Sequence, residues 1–299
     1  MEENSTLLLI LNPAAGTRYA RRLLPEIIAM FTNYGHACLT FVTEQRGDAT
    51  RFVEQYGDRA GKIVCIGGDG TFNETVTGLL RAGLRVPVGY IPAGSTNDFA
   101  NSLHLPSDIL EAARNIVEGE PVTLDAGRFR ERYFAYVASF GAFTRASYET
   151  PQNVKNALGH LAYILEGIKD LPSMHPVHVR AEIDNKVFED DYIFGAVSNS
   201  TSIAGIVTLD DAFVDMNDGL CEVTLVKFPK TALELSRIIM SIQTNEFDEE
   251  LITFVSAPHV VMYTDDDVPW TLDGEYDAGA PIVIIKNIHN AIKLIVNRK

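Results

Sequence analysis

Apolar positions divide the chain into two regimes. Leu7 to Leu11 is an unbroken apolar run, the pattern of a strand buried on both faces. Behind it, Ala20, Leu23, Leu24, Ile27, Ile28 and Phe31 recur at helical spacing, and Gly35 stands where a C-cap belongs. Pro25 within that pattern predicts a break, because proline suits a helix only at its first turn or at a kink. Ala37–Val42, Lys62–Ile66 and Val86–Ile91 read as further strands. Helices are expected from Asp48, acting as cap, through Tyr56, and from Asn73 to Leu80. Strands alternating with helices predict crossover units, and hence a mostly parallel sheet with flanking helices.

After about Gly119 the pattern changes. Val122–Phe129, Tyr133–Ser139, Val177–Ile183, Tyr192–Ser198, Cys221–Phe228, Ile252–Tyr263 and Pro281–Ile285 read as strands, and Val177, Val179, Ala181 and Ile183 alternate with polar residues. Helices are expected near Val154–Leu171 and Thr231–Thr244. The reading is an α/β domain over residues 1–125 and a mainly antiparallel β domain over 126–299, whose last strand returns to the first. No long linker intervenes, so a cleft between domains is the expected place for a ligand.

Composition narrows the classes. Apolar residues at 46% and charged residues at 22% over 299 residues describe a globular chain able to bury a core. The net charge is -15, with -3 on the first 150 residues and -12 on the rest. No basic field is available for nucleic acid, and contact with an anionic membrane needs a local apolar or basic surface. Cys38, Cys65 and Cys221 are too scattered for a disulfide framework or a zinc site, so reduced thiols are expected. The N-terminus is acidic where a signal peptide is basic, and no apolar stretch approaches the ~20 residues of a spanning helix. A cytoplasmic protein is the expectation.

Three strand-to-helix junctions carry candidate chemistry. Gly67-Gly68-Asp69-Gly70-Thr71 joins a strand to a helix, where glycines let backbone N–H groups approach a ligand and the helix N-terminus favours an anion. Asp69 is unexpected in an anion site unless a metal or a proton intervenes. No Gly-Lys-Ser/Thr ends the run, and Asn73 stands where a dinucleotide fingerprint needs its third glycine. Asn12-Pro13-Ala14-Ala15-Gly16 and Pro92-Ala93-Gly94-Ser95-Thr96-Asn97-Asp98 occupy equivalent junctions. Three such loops on one sheet edge favour a nucleotide site.

These motifs, in this order and spacing, resemble the diacylglycerol kinase catalytic-domain family, which includes soluble bacterial lipid kinases and, more distantly, sphingosine and ceramide kinases. Leu124-Asp125-Ala126-Gly127, Tyr133-Phe134, Tyr148-Glu149-Thr150-Pro151, Asp218-Gly219 and Asp273-Gly274-Glu275 extend the likeness over nearly the whole chain. The resemblance implies a nucleotide-binding α/β domain and a lipid-holding β-sandwich, with ATP as donor and Mg²⁺ as helper. It implies that Asn12, Gly16 and Thr43 line the nucleotide. Gly67, Gly68, Asp69, Gly70 and Thr71 cradle its phosphates, and Ser95, Thr96 and Asn97 approach them. A structural Mg²⁺ is implied at Asp215, Asp218 and the Leu220 carbonyl, a hard-oxygen set. A lipid alcohol such as diacylglycerol, transient contact with the inner face of the membrane and a homodimer are implied as partners. Ala15, Ser95 and Asn101 depart from the family's usual Ser, Thr and Arg.

Phosphoryl transfer to an alcohol needs positioning, charge neutralisation and a proton acceptor. Asp273 and Glu275 are two apart, so in an extended segment both carboxylates face one way. Asp273, Glu275 and Asp69 all remain candidates for the acceptor. Asp98 reads as a helix cap or a further acid, and Asp125 as a member of the Mg²⁺ network. Asp265-Asp266-Asp267 reads as a solvated turn and Trp270 as packing. The stripe Val154, Leu158, Leu161, Leu165 and Ile168 reads as core, or as an interfacial helix or lipid gate because Lys155, His160 and Lys169 flank it. An NAD kinase shares a Gly-Gly-Asp-Gly loop, but its later Asn-rich and Gly-Phe-Leu signatures are missing. A nucleotide- or lipid-sensing regulator is the alternative of another class.

Overall fold

The computed structural model describes residues 6–141, 175–200, 202–203, 207–208, 214–265 and 267–297. The expected helix near Val154–Leu171, its apolar stripe, the Tyr148–Pro151 motif and Asp266 lie outside these residues. Two compact units are formed, Met1–Ala126 with Asn290–Lys299, and Gly127–His289.

The first unit is built on β1 (Thr6–Leu11), β2 (Ala37–Val42), β3 (Lys62–Gly67) and β4 (Val88–Pro92). β1 lies between β2 and β3, β3 pairs with β4, and every pairing is parallel. Leu8 and Leu9 are fully buried, as the apolar run requires. Helix α1 (Ala20–Asn33) lays Ala20, Leu23, Ile27 and Phe31 into a core cluster with Leu7, Leu9, Val64 and Ile91. The break expected at Pro25 does not occur, and α1 runs through it. Proline there removes one donor, and the Arg21 carbonyl it would have met belongs to an exposed residue that water can reach.

Helix α2 (Asp48–Tyr56) corrects another expectation. Its N-cap is Gly47 at φ +87°, and Asp48 makes no capping bond. The Asp48 carboxylate instead accepts from the Glu44 and Gln45 amides and pairs with Arg51 at 2.7 Å. Amides at the start of the helix are met by Glu74, which accepts from Gly47 at 2.7 Å and Ala49 at 3.2 Å. The Arg51 hydrogen bond, followed by the two amides, holds the Asp48 carboxyl down at about 2 against its ordinary 3.8. A depressed folded-state value stabilises above the unfolded value and is lost as pH falls through the folded one. The stability gap between wild type and Asp48→Asn is therefore expected to be constant at neutral pH and to close between pH ~4 and ~2. Chemical denaturation at stepped pH measures it.

Helix α3 (Asp69–Ala82) starts four residues earlier than expected, so Gly67 ends β3, Gly68 is the N-cap, and Asp69, Gly70 and Thr71 already belong to its first turn. Helices α4 (Asp98–Ser102) and α5 (Ile109–Glu118) complete this part of the unit. Strand β5 (Glu120–Phe129) then leads into the second unit.

The second unit contains β6 (Arg132–Phe134), β7 (Val137–Gly141), β8 (Val177–Ile183) and β9 (Lys186–Ser198). A two-strand pair, β10 (Ser202–Ile203) with β11 (Val207–Thr208), precedes β12 (Cys221–Lys227) and helix α6 (Ala232–Thr244). β13 (Ile252–Ala257), β14 (His259–Thr264), β15 (Trp270–Leu272) and β16 (Glu275–Asp277) follow. β7, β8 and β12 each pair antiparallel with β9, and β15 pairs antiparallel with β7 and β16. Within its core Phe129 and Phe140 each pack against Trp270 at a ring separation of 4.9 Å, tilted by 59° and 56°.

Two strands expected to be continuous are divided. Pro258 separates β13 from β14, since proline donates no ladder hydrogen bond. A bend at Ala135–Tyr136 separates β6 from β7. The last strand, β17 (Ile282–Val296), pairs antiparallel with β14 at its start and parallel with β4 through Leu294 and Val88 at its end.

Candidate active site

In the first unit the three loops follow β1, β3 and β4, three neighbouring strands, and so emerge side by side at the carboxyl edge of the sheet. They hold one another. Asn12 Nδ2 donates to Thr71 Oγ1 at 3.0 Å, and Asn12 Oδ1 accepts from the Ala14 amide. The Ala93 amide donates to the Gly67 carbonyl at 2.8 Å. Asn97, at φ +52°, accepts from the Gly94 amide and donates to the Gly94 carbonyl. The glycines are required by contact. A Cβ on Gly94 would lie 2.7 Å from the Gly68 Cα, and one on Gly16 would lie 2.4 Å from the Ala93 carbonyl oxygen. Asn12, Gly16, Gly67, Gly68, Gly70, Thr71 and Asn97 are thus brought together, with Ser95 and Thr96 exposed beside them. Thr43 follows β2, its amide donating to the Leu11 carbonyl.

Asp69 is explained by its neighbours. It opens α3, and its carboxylate accepts from the Asp98 amide at 3.2 Å and the Phe99 amide at 3.4 Å, the first turn of α4. Two helix N-termini therefore stabilise its charge. Asp98 is the first residue of α4, and the N-cap position falls on Asn97. Beneath, burial drives the Tyr90 phenol well above its ordinary value, with the Asp69 charge raising it further, so it stays protonated.

In the second unit the expected pair of co-facing carboxylates is not formed. Asp273 and Gly274, at φ +49° and +82°, are the two-residue turn of the β15–β16 hairpin, so alternation along an extended segment does not apply. The Asp273 carboxylate is buried. It accepts from three consecutive amides, Ala135 at 2.6 Å, Tyr136 at 3.0 Å and Val137 at 3.0 Å, and the Asp273 amide donates to the Val137 carbonyl. Glu275, half-buried, opens the edge strand β16 opposite Leu272. Asp-Gly between two short strand-like runs is the sequence signal for this hairpin.

The loop preceding β12 suits a hard cation in its chemistry. Asp215 and Asp218 are exposed, each accepting from the amide two residues on, at 3.0 and 2.8 Å. The Leu220 carbonyl accepts from Asn287 Nδ2 at 2.7 Å. The Oδ1 atoms of Asn217 and Asn287 are buried without a hydrogen-bond partner. These are all oxygen donors of the kind Mg²⁺ takes. No three His, Cys, Asp or Glu side chains converge among the described residues. Asp125, a further candidate for that network, accepts from the Asn290 amide at 2.7 Å and so ties β5 to β17.

Comparison with known proteins agrees with this two-part construction. Residues 6–129 match the diacylglycerol kinase catalytic domain. Residues 137–296 match the YegS C-terminal NAD kinase beta sandwich-like domain. Together they define an enzyme of the lipid-kinase type, an α/β unit joined to a sandwich-like one. The chain belongs to the diacylglycerol kinase family. It is 32% identical to a diacylglycerol kinase of Bacillus subtilis (strain 168) over 286 residues, 94% of each chain. It is 34% identical to one of Staphylococcus carnosus (strain TM300), over 91% of this chain and 89% of that one. A crystal structure of a diacylglycerol kinase from Bacillus anthracis str. Sterne shares the fold, with a TM-score of 0.77 at 21% identity over 100% of this chain and 99% of that one. A second from the same organism gives 0.83 at 24%, over 100% and 97%. No helix among the described residues is long and apolar enough to cross a membrane.

Proposed function

We propose that the protein transfers the γ-phosphoryl group of ATP to the hydroxyl of a lipid alcohol, with diacylglycerol, the acceptor for which its relatives are named, giving phosphatidic acid for phospholipid metabolism. The observation that carries this reading is the interlocked set of three glycine-containing loops on one sheet edge. Asn12, Gly16, Thr43, Gly67, Gly68, Gly70, Thr71, Ser95, Thr96 and Asn97 hold the nucleotide, with the first turn of α3 directed to its phosphates. Asp69 orders α4 against that turn and balances the helix termini. Asp215, Asp218 and the Leu220 carbonyl would hold Mg²⁺. That cation, when bound, supplies positive charge on oxygen ligands.

In the transfer, an O–P bond forms between the lipid oxygen and the γ-phosphorus, the bond to the bridging oxygen breaks, and ADP leaves. The hydroxyl proton passes to a carboxylate. We assign that role to Glu275, a half-buried acid that opens β16 directly after the Asp273–Gly274 turn, and assign the Asp273 carboxylate, which accepts from three main-chain amides, to holding that turn. The acceptor resides in a bilayer, so transient contact with the inner membrane surface accompanies turnover.

Radiolabelled ATP with Mg²⁺ and mixed micelles of diacylglycerol, monoacylglycerol, ceramide or sphingosine tests the reading, with NAD as a soluble acceptor. Label is expected in phosphatidic acid. Label in another lipid moves the acceptor, and label in NADP removes the lipid assignment. Bound ATP without transfer points to a sensor.

A further inference from the structure

We infer that Asp273 is a positioning residue, a backbone clamp that sets the Glu275 hairpin, and not itself the group that takes the proton. The inference rests on the reading of Glu275 above. Ala135 and Tyr136 form the bend between β6 and β7, where strand pairing stops and their amides have no ladder to join. Both residues are buried, as is Val137. Three adjacent buried donors must find acceptors, and the Asp273 carboxylate supplies them.

The exchange is reciprocal. The Asp273 amide returns a bond to the Val137 carbonyl, so the turn extends the β15–β7 pairing one step past Leu272 and Ala138. One pair further in, Thr271 and Ser139 join through their hydroxyls at 2.9 Å. The far side of the bend is pinned as well, since the Tyr136 carbonyl accepts from the Asn199 amide at 2.9 Å. Glu275 opens β16 directly after this turn and registers with Leu272. Its backbone position is thereby fixed by Asp273. Asparagine at 273 would keep one acceptor oxygen and turn an amide donor toward main-chain donors, loosening the hairpin.

Amide hydrogen exchange on the wild-type protein is the first measurement. The Ala135 and Tyr136 amides are expected to be as protected as those within β7, and to stay so in Glu275→Gln. In Asp273→Asn their protection falls, and Tm drops by roughly 5–10 °C. Well below that Tm, kcat per folded molecule falls by about 10- to 100-fold, with the KM for ATP unchanged. The acidic limb of its pH–rate profile stays at the wild-type position. A purely structural Asp273 would lower Tm and leave kcat per folded molecule intact. The inference is overturned if the wild-type amides exchange freely, or if Asp273→Asn loses the limb while Glu275→Gln keeps it. Where Asp273→Asn does not fold, the wild-type exchange and the Glu275→Gln profile decide. Absence of lipid phosphorylation by wild type would remove the functional reading, while the exchange result would still judge the clamp.

Discussion

Glu275→Gln is expected to lower kcat by roughly 10²–10⁴-fold, the range that a positioned proton acceptor contributes. Glutamine preserves the size of the side chain and can still accept a hydrogen bond, but it does not take a proton at neutral pH. Glu275 lies on the edge strand β16, after the turn, and the clamp of amides belongs to Asp273. With size and hydrogen-bonding reach retained by glutamine, stability is expected to stay close to wild type. Calorimetric titration with a non-hydrolysable ATP analogue should return wild-type affinity, because the nucleotide loops belong to the other unit. The acidic limb of the rate profile should vanish. Retention of both the limb and the rate would move the acceptor role to Asp69 or to Asp273.

The second large effect is expected from Gly16→Ala. Gly16 has φ +49°, and the left-handed region costs a residue with a Cβ about 1–2 kcal/mol. The added carbon would also lie 2.4 Å from the Ala93 carbonyl oxygen, which sits in backbone and has no flexible end to yield. The β4 loop must shift, and with it the Ala93–Gly67 bond and the approach of Gly94 to Gly68. Affinity for ATP is expected to fall at least tenfold, about 1.4 kcal/mol, along with Tm. Gly83→Ala is the control. It shares a positive φ of +65° but meets nothing within 4 Å, so it carries the strain without the collision. Equal losses of nucleotide affinity in both variants would refute the interlocking of the loops.

The regular parts of the fold were legible because burial enforces periodicity. Leu7–Leu11 and the α1 stripe could be read directly, and the adjacency of the three loops followed from a parallel sheet. Long-range polar partners were harder to see. That Glu74 would meet the first turn of α2, or Asp69 that of α4, depends on contacts spanning 25 to 30 positions, which no local pattern encodes. Asp273 misled for a related reason. An acid beside a glycine suggests chemistry, yet its neighbour Gly274 also permits the tight turn that sends the carboxylate into the backbone. Conversely, Pro25 overstated its effect, since α1 stays continuous at the loss of one solvent-side bond.

Strand β17 has a bearing on how this enzyme can be cut and recombined. It begins in one unit and ends in the other, and Ile295 completes the core cluster around Leu7, Phe31 and Ile116. A fragment stopping at Ala126 would therefore lack part of its own interior and one of the two parallel neighbours of β4. Chimeras that exchange the units between relatives must carry the last ten residues with the first unit, as a graft with two junctions instead of one. A circular permutant that fuses the tail ahead of β1 would turn this discontinuous unit into a continuous one.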